Sequence, residues 1–170
     1  NIGSYFDWKH AQIDDSEPFD HKGDLLNFPF SPTLSIGIND YWMFSISQQF
    51  GYRGMGWDLS EESKHHRTEN STTNFKNAIG GLIGDTHFKV RYLVFNTGSM
   101  DGYRFFIGSG IIKPSNNTLT SDPFFSDGSE IDDHRHFSIS EGNYKQFYEI
   151  QLFRKQSYNP IFYGITMKTT

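Results

Sequence analysis

The sequence predicts an all-β protein, an antiparallel sandwich or barrel, on three observations. Apolar and polar residues alternate with a period of two in several segments. The apolar content is skewed to aromatics, with 17 Phe and 9 Tyr, which suit pleated surfaces better than helix interiors. Glycine-containing turn signals separate the segments. With 170 residues, 35% hydrophobic and 21% charged, the chain can bury one real core.

Taken in order, "FSPTLSIGINDYWMFSI" is punctuated by Pro32 and shows no helical period. Its "WMFSI" reads as a strand with Trp42, Phe44 and Ile46 inward. Gly56 to Leu59 is a shorter candidate. "DLSEESKHHRT" offers Asp58 or Ser60 as an N-cap but hardly any apolar stripe, so it reads as a polar loop or one helical turn. "HFKVRYLVF" sets Phe88, Val90, Tyr92 and Val94 against His87, Lys89 and Arg91, and "GYRFFIG" sets Tyr103, Phe105 and Ile107 against Arg104. Gly98 and Asp101-Gly102 lie between them, so Phe88 to Ile107 reads as a hairpin. "FYEIQLF" is a further strand with Tyr148, Ile150 and Leu152 on one face, and "HFSIS" and "IFYGITM" are shorter candidates. No repeat, low-complexity tract or Pro/Gly linker splits the chain. Residues 1–170 therefore read as one β-rich domain, with 1–27 as an N-terminal extension.

Charge and composition exclude several functions. A formal charge of −5 and a pI near 5.7, with Lys and Arg scattered, argue against nucleic acid, whose phosphates need clustered cations. The absence of cysteine removes disulfides, thiolate catalysis and the usual structural zinc sites. No window approaches the roughly 18 apolar residues of a membrane helix, and "NIGSYFDWKH" lacks the basic-then-apolar order of a signal peptide. No membrane insertion by this chain is expected.

Enzyme chemistry has one candidate, "SDGSEIDDHRH", where Asp127, Glu130, Asp132, Asp133, His134 and His136 crowd together. On a strand, His134 and His136 would share a face and with it a metal, and the carboxylates could complete the shell or act as acid and base. No HExxH, EF-hand or CxxC spacing accompanies them, which favours a solvated acidic loop. Lys64 to Arg67, "KHHR", is weaker, with its adjacent histidines facing opposite ways. A nucleophile elbow, a Walker loop and a dinucleotide fingerprint are all missing. The expectation is a non-enzyme with neither metal nor cofactor. Asn70 and Asn116 each begin a glycosylation triplet in a loop.

A binding module fits better. Exposed aromatics offer ring faces for the apolar side of a sugar, and a few fixed polar groups meet its hydroxyls. "FGYRGMGW" places Tyr52, Arg53 and Trp57 among the glycines of Gly51 to Gly56, and "SDPFFSDG" presents Phe124 and Phe125 beside Ser126. The competing reading is that these rings are core.

Pro29, Phe30, Pro32-Thr33 and then Asp40-Tyr41-Trp42-Met43, followed by "GLIGDTHFKVRYLVF", "GYRFFIGSG", "DPFFSDG" and "QFYEIQLFRK" in that order, resemble the distal head of the rotavirus outer-capsid spike proteins. The resemblance covers Phe28 to Lys155 and is similar to a divergent rotavirus group rather than the best-known one. It implies a galectin-like sandwich of two antiparallel sheets at the virion surface. Its implied partners are host-cell glycans, the remainder of the spike and neutralising antibodies. The family's aromatic-aromatic-Ser loop corresponds to Phe124, Phe125 and Ser126, and its arginine that meets an acidic sugar corresponds most nearly to Arg53.

Departures from the family bear on the ligand. Phe rings stand at 124 and 125 where the family has tyrosines, Pro123 replaces a basic residue, and Gly80 replaces another tyrosine. Donors for a carboxylate are depleted, so the expected ligand is a neutral oligosaccharide rather than a sialylated one. His87, Arg91, Val94 and Asn96 are similar to galectin sugar-binding elements, but galectins spread these over successive strands, whereas alternation along a single strand accounts for them here. The rival reading is a structural or protein-receptor-binding β-sandwich of a viral coat.

Overall fold

A computed structural model describes residues 4–10, 21–57, 69–97, 101–121, 134, 135, 137–156 and 162–169. Among them every regular element is a strand: β1 (Ser4–His10), β2 (His21–Phe30), β3 (Thr33–Gly37), β4 (Trp42–Trp57), β5 (Glu69–Asn70), β6 (Ile83–Asn96), β7 (Gly102–Lys113), β8 (Lys145–Lys155) and β9 (Phe162–Thr169). The class is all-β and antiparallel, as the alternation predicts. The chain divides into two compact units, Asn1–Ser31 with Gln49–Asp85 and Pro114–Gly142, and Pro32–Gln48 with Thr86–Lys113 and Asn143–Thr170. The segment 1–27 supplies β1 and most of β2.

In the first unit β2 pairs with β1 on one side and with β4 on the other, and β5 pairs with β4. Exposure alternates strictly from Lys22 to Phe30: Leu26, Phe28 and Phe30 are open while Leu25, Asn27 and Pro29 are half-covered. The covered side meets the segment 69–82 and residues 137–139. Ile139 fills the space beside Gly51, where an added Cβ would stand 3.2 Å from its side chain. Met55 and Ala78 are buried here among Glu69, Ser71, Asn77 and Arg135, so this core is largely polar. "HFSIS" forms no strand over its described residues 137–140. The reason is local: Ile139 N–H donates to the Asn117 side-chain oxygen (3.4 Å) and Ser140 N–H to the Asn117 carbonyl (3.0 Å), which occupies the donors that a ladder would use.

In the second unit β3 and the start of β4 form a hairpin. Its turn is closed by Ile38 N–H to the Trp42 carbonyl (2.8 Å) and by the Asn39 side-chain oxygen, which accepts from the amides of Tyr41 and Trp42 (2.9 Å each). This explains why Asn39 precedes the Asp-Tyr-Trp run. β6, β7, β8 and β9 follow as an antiparallel series. The expected hairpin is present, with Gly102 at φ 149° where β7 begins and a register shift between Leu93 and Phe95.

The register collects the alternating apolar residues on one side of this unit. Tyr92, Ile107 and Ile150 lie in one cross-strand row, and Ser109 stands between Val90 and Tyr148. The expected inward position of Trp42 is corrected, since it is 43% exposed. Val90, Ile107, Ile150 and Leu152 are likewise open. Alternation fixes which residues share a face, whereas covering that face requires a second layer.

Candidate functional site

Tyr52 and Arg53 are consecutive on β4, so their side chains leave opposite faces of the sheet and cannot line one site. Arg53 turns to the covered side. Its Nε donates to the Asn27 side-chain oxygen (3.3 Å), its Nη1 donates to the Ser138 carbonyl, and its Cζ lies 5.8 Å from the Phe137 ring centroid. Its own amide donates to the Ser71 hydroxyl at 2.6 Å. Burial pulls this guanidinium below the ordinary arginine value. The bonds tie β4 to β2 and to the 137–140 segment, which is a packing role.

Tyr52 faces outward. Its ring lies along Gly54, whose Cβ position is 3.1 Å from the Tyr52 hydroxyl, and its cross-strand partner is Phe28. Phe30 stands 6.5 Å, ring centroid to ring centroid, from Phe50 in the next register row but one. On this side Leu26 pairs with Gly54 and Asp24 with Gly56, so the rings rise beside a glycine floor. The surface therefore combines flat apolar rings, a phenol hydroxyl and the exposed Asp24 carboxylate. Such a combination accepts C–H faces by stacking and hydroxyls by hydrogen bonding.

Trp57 closes β4 opposite Gly23. Phe124, Phe125 and Ser126 lie outside the described residues, as do the segment 58–68, read from sequence as a polar loop or one helical turn, and every member of the acidic and histidine cluster except His134. His134 is buried. Of the two glycosylation triplets, Asn70 turns its side-chain oxygen back to accept from the Thr72 amide (2.9 Å) and hydroxyl (2.6 Å). Arg91 of the galectin-like pattern is engaged with Glu149, through Nη2 at 3.0 Å.

Two features escape a reading by motif. The first is Arg135, 1% exposed beside Glu69 at 2%. Its Nη2 donates to the carbonyls of Asn70 (2.8 Å) and Thr73, its Nη1 reaches the Ile79 carbonyl at 3.5 Å, and Nε stands 3.5 Å from the Glu69 carboxylate. Desolvation lowers its pKa, and the Glu69 charge pushes it back up. Asn77 grips the same residue's backbone, accepting from its amide (2.8 Å) and donating to its carbonyl (2.9 Å). The second is an aromatic corner in the second unit, where Tyr92 has its ring centroid 4.7 Å from Trp42 and 6.2 Å from Tyr41. The Asp-Tyr-Trp run hinted at it, but only the pairing of strands brings Tyr92 alongside. No family model matches the chain, and no curated protein or solved structure matches it.

Proposed function

We propose that this chain is a glycan-binding attachment domain, exposed on a viral spike, that prefers neutral oligosaccharides to sialylated ones. The observation that carries the preference is the division of labour at Tyr52 and Arg53: the ring is open, while the guanidinium that a carboxylate would seek is spent on Asn27 and Ser138. The exposed Asp24 on the Tyr52 side adds repulsion towards an anionic sugar. Phe124, Phe125 and Ser126 belong to the same reading through the resemblance to spike heads. A two-sheet sandwich is the architecture that goes with this reading, galectin-like by the resemblance; what supports it is the open apolar side of the second unit's strands, which a second layer would cover.

The test is a multivalent display of the intact chain on a broad glycan array, since many weak copies give measurable avidity. Selected neutral glycans should bind, and Tyr52→Ala should lower the signal about tenfold, the scale of one lost stacking contact repeated over a multivalent display. A Phe124→Ala/Phe125→Ala variant run alongside reports on the second loop. Sialylated glycans binding more strongly than their neutral parents would end the preference.

A structural or protein-binding reading is favoured by a different observation, the open apolar side of the second unit. Silence across the array, with the fold intact, would decide for it.

A further inference from the structure

The two sides of the second unit are unlike. On one side Phe147 lies over Gly110, a glycine at which any Cβ would run into that ring and the Phe88 carbonyl, and Glu149 holds Lys89 and Arg91. The other side presents Trp42, Val90, Ile107, Tyr148, Ile150 and Leu152, each 40–54% exposed. These six alone leave about 600 Å² of apolar surface open, at the upper limit for the largest patch of an ordinary monomer. Leu34, Ile36, Tyr103 and Ile111, on the same side by register and 44–62% exposed, bring the area to about 1,000 Å², more than the roughly 800 Å² that each partner contributes to a standard interface.

The patch is also built for burial. Its central polar group, the Ser109 hydroxyl, already donates to the Phe147 carbonyl at 3.2 Å. Lys113 lies at one end of the strands and Arg154 at the other, the latter with its guanidinium 5.5 Å from the Tyr103 ring centroid. Among the described strand residues on this side there is no carboxylate. The middle is therefore uncharged and rich in Trp, Tyr and branched aliphatics, the composition of an interface centre.

We propose that this side packs against the same side of a second copy, sheet on sheet about a two-fold axis, so that the partner supplies the second layer of the sandwich. A surface of dimer size with an uncharged apolar centre, its two cations kept to the ends of the strands, suits an isologous contact, in which one patch meets itself. The proposal rests on the sandwich in the reading above and not on its glycan, so the two can fail separately.

Sedimentation of the intact chain across the micromolar range should give twice the 19.7 kDa monomer mass. Ile150→Glu and, separately, Ile107→Lys should weaken the dimer at least about a hundredfold, each charge being stranded in an apolar contact, with the β-sheet circular dichroism unchanged. The chain has no cysteine, so single thiols report position cleanly. Ser109→Cys should be captured as a dimer by a short bismaleimide, and Lys76→Cys, exposed in the other unit, should not. A monomer at every concentration overturns the proposal, as does a dimer that survives Ile150→Glu in folded protein or cross-links equally at both thiols. If the charged variants fail to fold, the two thiol variants decide alone.

Discussion

Replacing Arg135 with Met is expected to lower folding stability by about 3–5 kcal/mol, the range for stranding one member of a buried ion pair. Met keeps most of the side-chain volume, so the loss isolates the guanidinium. Three things go at once. The carbonyls of Asn70, Thr73 and Ile79 lose a common donor, Glu69 at 2% exposure loses its cation, and the Phe75 ring loses the guanidinium 5.5 Å from its centroid. Arg135→Lys should recover less than half, because one ammonium cannot span three carbonyls and a carboxylate as a planar fork does. Pairing Arg135→Met with Glu69→Gln should cost less than the sum of the single changes, since the second change removes the stranded charge. Urea unfolding midpoints measure all four proteins. A loss under about 1 kcal/mol for Arg135→Met would mean that Arg135 is not the clamp of this polar core.

What the sequence revealed and what it hid divide along physical lines. Period-two alternation is local, so it put Tyr148, Ile150 and Leu152 on one face of their strand and parted Val90 and Tyr92 from Lys89 and Arg91 on theirs without any knowledge of the fold. Whether a face is covered depends on layers brought together over long chain distances, and Trp42 shows the difference. Arg135 was illegible for the same reason, because its acceptors lie 56 to 65 residues away and nothing near "DDHRH" announces them. The separation of Tyr52 from Arg53 was legible in principle. The glycines of "GYRGMGW" suggest a loop, yet the run is the end of a 16-residue strand, and adjacent strand residues always part company. Gly54 and Gly56 there form a floor beneath rings rather than a turn.

Glu149→Ala is expected to cost about 2–3 kcal/mol, somewhat below the range for a fully buried pair, because its two partners are not fully buried. Glu149 is 7% exposed and receives Lys89 Nζ at 3.2 Å and Arg91 Nη2 at 3.0 Å, whose side chains retain 20% and 16% exposure. Those cations can turn part-way to water, which softens the loss. The bridge passes over a residue without a side chain, Gly108. In the register Arg91 pairs with Gly108 and Gly108 with Glu149, so the ion pair crosses over the middle strand. A Cβ at 108 would stand 3.5 Å from the Glu149 carboxylate oxygen and 3.3 Å from the Val90 carbonyl. Gly108→Val should therefore lose much of the same energy as Glu149→Ala, and combining the two should add little, since both remove one interaction. Chemical unfolding of the two single variants and their double measures this. If the losses simply add, the bridge and the glycine are independent, and the spacing of Arg91, Gly108 and Glu149 has no energetic meaning.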